Sequence, residues 1–169
     1  EGKGPPEKQE QLRFAVSDDA VNWKALNNNE PIIPSKDISN TGGIRDPHIL
    51  RGADGNSFYM VATDMHTKKN GWDYNPGIVL MHSKNLLDWK SSVIDLEKLY
   101  PKKFKDIKWV WAPQTFYDAK VKKYLVYFTV RFKYNEKLDF YCAYANKDFT
   151  GFEQEPKLMF SPKDGAIDG

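Results

Sequence analysis

Apolar and polar residues follow one another in short runs along the chain, which is typical of β-strands. The runs "FYMVAT" (58–63) and "YLVYFT" (124–129) are apolar on both faces, as expected for strands that are covered on both sides of a sheet. Between such runs lie turn signals such as Asp54-Gly55, a pair that accepts the positive φ of a tight hairpin. No segment has a sustained period of 3.6 residues, so the pattern predicts no substantial helix.

The strand pattern repeats with a period near 66 residues. A hairpin that begins at Asp46 recurs at Ala112, 66 residues later. The matched residues include Pro47 with Pro113 and Thr63 with Thr129. A second unit, a strand followed by a turn and an aromatic residue, occurs three times and ends at Trp23, Trp89 and Phe152. Four antiparallel strands repeated in this way predict the blades of a β-propeller.

The prolines indicate which strand of each blade is innermost. Proline cannot donate to a strand ladder, so Pro47 and Pro113 are expected to open the first strand of each blade, an edge strand that faces the central channel. Asp46 would then lie near the channel mouth. We count two units, the start of a third at 165–169 and an outer strand at the front. The prediction is an all-β, partial propeller domain over residues 1–169 that is truncated at both ends.

Composition and charge exclude several classes of protein. The 169 residues are 40% hydrophobic and 28% charged, which suits a domain with its own core. The net charge is +2, and the densest basic stretch, 101–109, is interrupted by Asp106, so nucleic-acid binding is not predicted. No apolar run approaches about 18 residues, which predicts no membrane span. The single Cys142 excludes an intrachain disulfide and a cysteine metal site.

Four motifs, in order, carry a family resemblance: "IRDPHIL", "SKNLLDW", "WAPQTFYD" and "AIDG". Together they make the chain, from Leu12 onward, similar to glycoside hydrolase family 43. No single motif decides this, but their order and spacing are specific. The resemblance implies a five-bladed β-propeller, of which this chain supplies two to three blades. It also implies inverting hydrolysis of arabinofuranosyl or xylosyl linkages, or of galactosyl linkages, in plant polysaccharides.

The resemblance gives roles to two carboxylates. Asp46 matches the family's general base, although Asp before Pro is also common in turns. Asp168 matches the aspartate that orients the general acid and adjusts its pKa, with Gly169 where many members have Pro. The family's acid is a Glu in a later "EGP"-like motif that no position here matches. We therefore expect the acid to lie outside this chain, and the 169-residue fragment alone to be inactive.

Further residues are candidates for contacts with the sugar. Arg45 would keep the neighbouring Asp46 ionised or bind a sugar hydroxyl. Asp64, Trp72 and Asn75 belong to a long loop after the second strand, and such loops often carry specificity. This loop is therefore predicted to contribute one or more sugar contacts.

The second hairpin adds an aromatic and an amide candidate. Trp109 and Trp111 alternate with Val110 and should face the same side. Trp111 could form a sugar-stacking platform, and packing between blades is the other interpretation, because aromatic residues serve both purposes. Gln114 follows Pro113 on the inner strand and could reach the channel.

Two other functions stay open. "IRDP" also resembles the Arg-Asp-Pro triplet of the β-fructosidases, which share the five-bladed propeller, but their nucleophile lies in an earlier Asn-Asp-Pro motif that is absent from this sequence. The other alternative is a non-catalytic carbohydrate-binding propeller.

The partner is expected to be an oligosaccharide or polysaccharide, and that substrate class implies a secreted or periplasmic protein. No cofactor and no metal ligand is assigned. Some family members hold a calcium ion, but through a later blade. The sequence makes no prediction of the oligomeric state.

Overall fold

The structure, a computed structural model, describes Pro5 and residues 8–168. Most of the regular structure is β-strand: β1 (Ala15–Val16), β2 (Lys24–Ala25), β3 (Ile44–Arg51), β4 (Phe58–Asp64), β5 (Gly77–Ser83), β6 (Trp89–Asp95), β7 (Ile107–Asp118), β8 (Lys123–Phe132), β9 (Asp139–Tyr144) and β10 (Lys157–Phe160). Two helices, α1 (Thr67–Asn70) and α2 (Leu96–Leu99), are four residues long. Two 3-10 turns, at 27–29 and 35–37, complete the described elements. The prediction of an all-β fold without a substantial helix is confirmed for this part of the chain.

The strands form two successive antiparallel meanders. One sheet has the order β3-β4-β5-β6 and the other the order β7-β8-β9-β10, so each strand pairs with its neighbour in sequence. We call them the first and the second blade. The short strands β1 and β2 form a separate ribbon ahead of them. The edge strands β3 and β7 also contact each other, which is the arrangement predicted for the innermost strands of adjacent blades.

The core occupies both faces of the first blade. On one face of β4, Val61 packs in a cluster that includes Phe128 of the second blade. On the other face, Met60 and Ala62 pack in a cluster that includes Leu12 from the segment before the blade. The alternation of β4 between two apolar clusters explains why its sequence has no polar face. It confirms that this strand is covered on both sides.

The inner strands are not regular at their prolines. The pairing of β3 with β4 shifts between Arg45 and His48, and the pairing of β7 with β8 shifts between Trp111 and Gln114. The prolines therefore lie inside their strands, at bulges, and do not open them as the sequence predicted. A bulge leaves its extra residue outside the ladder, so the missing N–H of proline costs no hydrogen bond there.

The residue before each proline adopts a left-handed backbone. Asp46 has φ 49° and Ala112 has φ 48°, a conformation that is uncommon for residues other than glycine. Because the two values recur at matched positions of the two blades, the bulge is a feature of the repeat. It turns the backbone of each inner strand at the place where the sequence predicts the channel mouth.

Gly43, just before β3, lies against the backbone of Met65 and His66 with no room for a side chain. A methyl group there would overlap the carbonyl oxygen of Met65 and lie 2.7 Å from Cβ of His66. We expect Gly43→Ala to lower the free energy of unfolding by about 1–3 kcal/mol, because backbone and Cβ atoms cannot move aside freely. The measurement is chemical denaturation of the protein that carries this chain.

Gly151→Ala is the matched control. The nearest atom to its added methyl group is Asn146 Nδ2 at 3.4 Å, so we expect a change within about 0.5 kcal/mol. Equal effects of the two substitutions would contradict the close approach at Gly43.

Candidate active site

Asp46 projects from the bulge of β3 and is exposed. Thr63 Oγ1 on the adjacent strand β4 donates a hydrogen bond to Asp46 Oδ2 at 2.9 Å. Thr63 Oγ1 in turn accepts a hydrogen bond from the backbone N–H of Ala112 at 3.1 Å. Thr63 is fully buried, so this relay fixes Oδ2 of Asp46, while Oδ1 accepts no hydrogen bond from the described residues. The first blade thereby presents an oriented, accessible carboxylate.

Thr63 is a site residue that the sequence analysis did not single out. Its repeat partner Thr129 is also buried and donates to the carbonyl oxygen of Trp111 at 3.1 Å. In the second blade Ala112 stands where the first blade has Asp46, so there the threonine has no carboxylate to bind. The 66-residue repeat, which pairs the two threonines, was the signal that could have identified it.

Arg45 is held between a carboxylate and an aromatic ring. Its Nη1 lies 2.8 Å from Oε1 of Glu10, and its Cζ lies 4.8 Å from the centroid of the Trp72 ring, within the range of a cation–π contact. The structure thus brings together two of the predicted site residues, Arg45 and Trp72. Arg45 also directly precedes the third, Asp46, in the chain.

Glu10 was also missed in the sequence, and its carboxylate is largely buried, with 9% side-chain exposure. Burial on its own raises the pKa of Glu10, but hydrogen bonds from Thr67 and Arg45 and the charge of Arg45 outweigh it, so the pKa is lowered. Nδ1 of His66 lies 2.9 Å from Oε2, outside hydrogen-bond alignment. A carboxyl group with a lowered pKa stays ionised near neutral pH. Glu10 is therefore unsuited to donate a proton as a general acid.

Three tryptophans form one cluster beside Arg45. Trp109 and Trp111 stack with centroids 4.2 Å apart and an interplanar angle of 12°, which confirms that both face the same side. Trp72 meets Trp111 edge-on at 6.1 Å. Because Arg131 lies 4.5 Å from the Trp109 ring, Trp109 has little free face. Trp72, which is 51% exposed, is the ring that a ligand could reach.

Trp111 is better placed to support Trp72 than to bind a sugar. One of its faces is covered by Trp109, and Trp72 packs against it edge-on. Trp109 also donates from Nε1 to the backbone carbonyl of Trp72 at 2.6 Å. Trp111 therefore supports the Trp72 ring, and its own role in stacking a sugar stays a prediction.

Asp64 and Asn75 are buried, and both bind backbone groups beneath the loop. Asp64 is 3% exposed, and its carboxylate accepts hydrogen bonds from the backbone N–H groups of Asn40 and Thr41 and from the Thr41 hydroxyl. Asn75 is 1% exposed and donates to the backbone carbonyl of Asp64 at 2.7 Å. Both side chains hold backbone together beneath the loop, and their role as sugar contacts stays a prediction.

Gln114 lies on the inner strand β7, just past its bulge, and is half-buried. Its Oε1 accepts a hydrogen bond from the hydroxyl of Tyr127 at 2.8 Å. No contact joins it to the Asp46 relay among the described residues, so its role in binding stays a prediction.

Asp168 repeats the backbone conformation of Asp46 without touching it. It is exposed and has φ 59°, close to the values at Asp46 and Ala112, and it follows β10 in a segment without strands. Within the described residues Asp168 makes no hydrogen bond or ion pair. Gly169, which follows it in the "AIDG" motif, lies outside the described residues.

A shallow pocket of about 280 Å³ adjoins Asp46 and is formed by residues 10–13 and 44–47. Its volume is at the small end of the range for ligand pockets. Within the described part of the chain, no group of three or more His, Cys, Asp and Glu side chains is arranged to hold a metal ion. In the same residues no helix has the length and apolar character needed to cross a membrane.

Comparison with known proteins defines the class. The sequence profile of a family related to glycoside hydrolase family 43, described as "Probable glycosyl hydrolase domain", matches residues 2–169. The chain therefore belongs to this glycosyl hydrolase family.

The chain is similar to a curated α-L-arabinofuranosidase of Bifidobacterium longum subsp. longum, with 25% identity over 118 residues, which are 67% of this chain.

Solved structures give the fold. A thermostable family 43 glycoside hydrolase aligns with a TM-score of 0.52 and 22% identity over 75% of this chain and 36% of its own. A family 32 β-fructofuranosidase from Bombyx mori aligns with a TM-score of 0.53 and 16% identity over 86% of this chain and 30% of its own. The family 43 neighbours are five-bladed β-propellers, and the two sheets described above are blades of that fold. The chain spans 11% of the arabinofuranosidase.

Glu10 gives stability a defined dependence on pH. The pKa of Glu10 in the folded state lies below the ordinary value of 4.5. Its contribution to the free energy of unfolding is therefore complete above pH 4.5 and is lost as the pH falls through the folded-state pKa. At pH 7 we expect Glu10→Gln to lower the free energy of unfolding by about 1.5–3 kcal/mol, because Arg45 loses its charged partner. Below pH 4.5 the difference between the two proteins should shrink. Denaturation across this pH range measures both effects.

Glu30→Gln is the control, because Glu30 is exposed and its side chain has no hydrogen-bond partner in the described part of the chain. It should match the wild type at every pH. A pH-independent loss of stability in Glu10→Gln would contradict the ionised, hydrogen-bonded state of Glu10.

Proposed function

We propose that this chain is part of the catalytic propeller of an inverting glycoside hydrolase. Its substrates would be α-L-arabinofuranosyl or β-D-xylosyl units of plant polysaccharides, with galactosyl units as the next candidate. The observation that carries the proposal is Asp46, an exposed carboxylate in a left-handed bulge, oriented by the buried Thr63. Family membership supports hydrolysis of a glycosidic bond, and the arabinofuranosidase relative favours the pentoside.

Asp46 would act as the general base. The hydroxyl of Thr63 donates to Oδ2, which favours the ionised carboxylate, and Oδ1 is left to accept a proton from water. The activated water attacks the anomeric carbon from the face opposite the leaving oxygen. The acid protonates that oxygen, the glycosidic bond breaks, and the product sugar has the inverted configuration. The two carboxyl groups of such a pair stand roughly 6.5–9.5 Å apart.

The acid would be a Glu outside the described residues. Glu10 is excluded because its pKa is lowered. Asp168 would raise the pKa of the acid through the repulsion between like charges. The assignment of Asp168 rests on the resemblance of the "AIDG" motif to that of the family. The 169-residue chain alone would then turn over no substrate.

Recognition of the sugar would centre on Trp72. Its ring is half-exposed and rests on Arg45, so one face of the sugar could stack on it. Exo action, on single terminal units, is part of this proposal. This chemistry needs no cofactor, and a polymeric plant substrate implies a secreted or periplasmic protein.

The experiment compares the protein that carries this chain with its Asp46→Asn variant on aryl arabinofuranoside, xyloside, galactoside and fructoside. We expect turnover of a pentoside by the wild type and a loss of kcat of about 10²–10⁴-fold in the variant, because Asn cannot accept the proton from water. Asp18→Asn, at an exposed carboxylate outside the site, should keep full activity.

The other possible results distinguish the hydrolase from the two alternative functions. Wild-type activity in Asp46→Asn would contradict the assignment of the base. Turnover of the fructoside alone would establish the β-fructosidase interpretation. Sugar binding without turnover of any glycoside would establish a carbohydrate-binding propeller.

Trp72→Ala separates binding from chemistry. Because a stacked sugar contacts the ring in both the ground state and the transition state, KM should rise severalfold while kcat changes little. Trp23→Ala is the control, since Trp23 is 61% exposed in the β1–β2 turn. Steady-state kinetics on the preferred glycoside measures both constants. A fall in kcat with unchanged KM would contradict the stacking role.

A further inference from the structure

The loop that carries Trp72 and the strand that carries Asp46 are joined by one buried carboxylate, that of Glu10. We propose that Glu10 is a positioning residue that sets the Trp72 ring relative to Asp46. This inference rests on the proposed function for its catalytic meaning, and its geometric part can be tested separately.

Glu10 is first fixed to β3 through the backbone. Its carbonyl oxygen accepts a hydrogen bond from the N–H of Ile44 at 2.7 Å. Its φ of 54° turns the chain in the left-handed region, at a position where most residues are disfavoured. The backbone of Glu10 is therefore fixed to β3 at Ile44, two residues before Asp46.

The carboxylate then connects the strand with the loop. Oε1 accepts hydrogen bonds from Nη1 of Arg45 at 2.8 Å and from the hydroxyl of Thr67 at 2.7 Å. Oε2 accepts the backbone N–H of Thr67 at 2.8 Å. Thr67 begins α1, the first turn of the loop between β4 and β5. One group thus binds the start of that loop and the guanidinium beside Asp46.

Arg45 completes the connection to Trp72. Its guanidinium packs on the Trp72 ring while Glu10 holds it from the other side. The loop has an independent anchor, because Trp109 donates to the backbone carbonyl of Trp72. Loss of the Glu10 charge should therefore leave the loop attached while the ring loses its fixed support.

The first test is amide hydrogen exchange in the protein that carries this chain. Glu10→Gln should increase exchange in residues 65–76 at least severalfold more than in β5 and β8, whose amides report only the loss of global stability. Thr67→Val, which removes only the hydroxyl contact, should have a smaller effect in the same residues. Glu30→Gln should have none. Unchanged exchange in the loop of Glu10→Gln, or an equal increase over the whole chain, would overturn the positioning role.

The second test is a double-mutant cycle between Glu10→Gln and Trp72→Ala on the preferred glycoside. If Glu10 acts through the ring, Glu10→Gln should raise KM by about 3–10-fold with a smaller change in kcat, and this effect should vanish in the Trp72→Ala background. Equal effects in both backgrounds would contradict the inference. If no glycoside is hydrolysed, the proposed function fails, and hydrogen exchange still decides the role of Glu10.

Discussion

The left-handed bulge at Asp46 is the constraint on which the site depends. A regular β3 would continue its ladder through this residue, and the carboxylate would take the alternating orientation of an ordinary strand position. The bulge releases the residue from the ladder, admits Pro47 without loss of a hydrogen bond, and lets Thr63 on β4 reach Oδ2. Residues held in such sparsely populated conformations cost of order 1–3 kcal/mol and cluster at functional sites.

Packing of the surrounding strands stabilises this strained conformation. β4 is buried on both faces, between the cluster shared with the second blade and the cluster shared with the preceding segment. Thr63 is therefore fixed beside Asp46. Its Oγ1 also accepts a hydrogen bond from the N–H of Ala112 in the next blade. Contact between blades is thus part of the site, since the orientation of the carboxylate on one inner strand depends on the backbone of the next.

The sequence predicted the features that are repeated. The 66-residue period identified both blades and the matched positions 46 and 112, and the two-faced apolar run predicted the burial of β4. The spacing of Trp109 and Trp111 predicted their common side. The sequence misplaced the two prolines within their strands. Proline is tolerated both at the start of a strand and at a bulge in mid-strand, because neither position needs its missing N–H, so the sequence cannot distinguish them.

Features outside the repeat could not be predicted. Glu10 lies 35 residues before Arg45 in a polar segment without periodicity, so nothing local signals that its charge is buried. Asp64 and Asn75 looked like loop residues open to a ligand. The segment before β3 folds back over Asp64 and uses its carboxylate, and such a long-range contact has no trace in local composition.

The central claim is that Asp46 activates water in a single displacement at the anomeric carbon. The most direct test is proton NMR of the sugar released by the protein that carries this chain, recorded in the first moments of hydrolysis before mutarotation. The account predicts that the first product has the anomeric configuration opposite to that of the substrate. A first product with retained configuration would contradict it, because retention requires a carboxylate to attack the sugar itself.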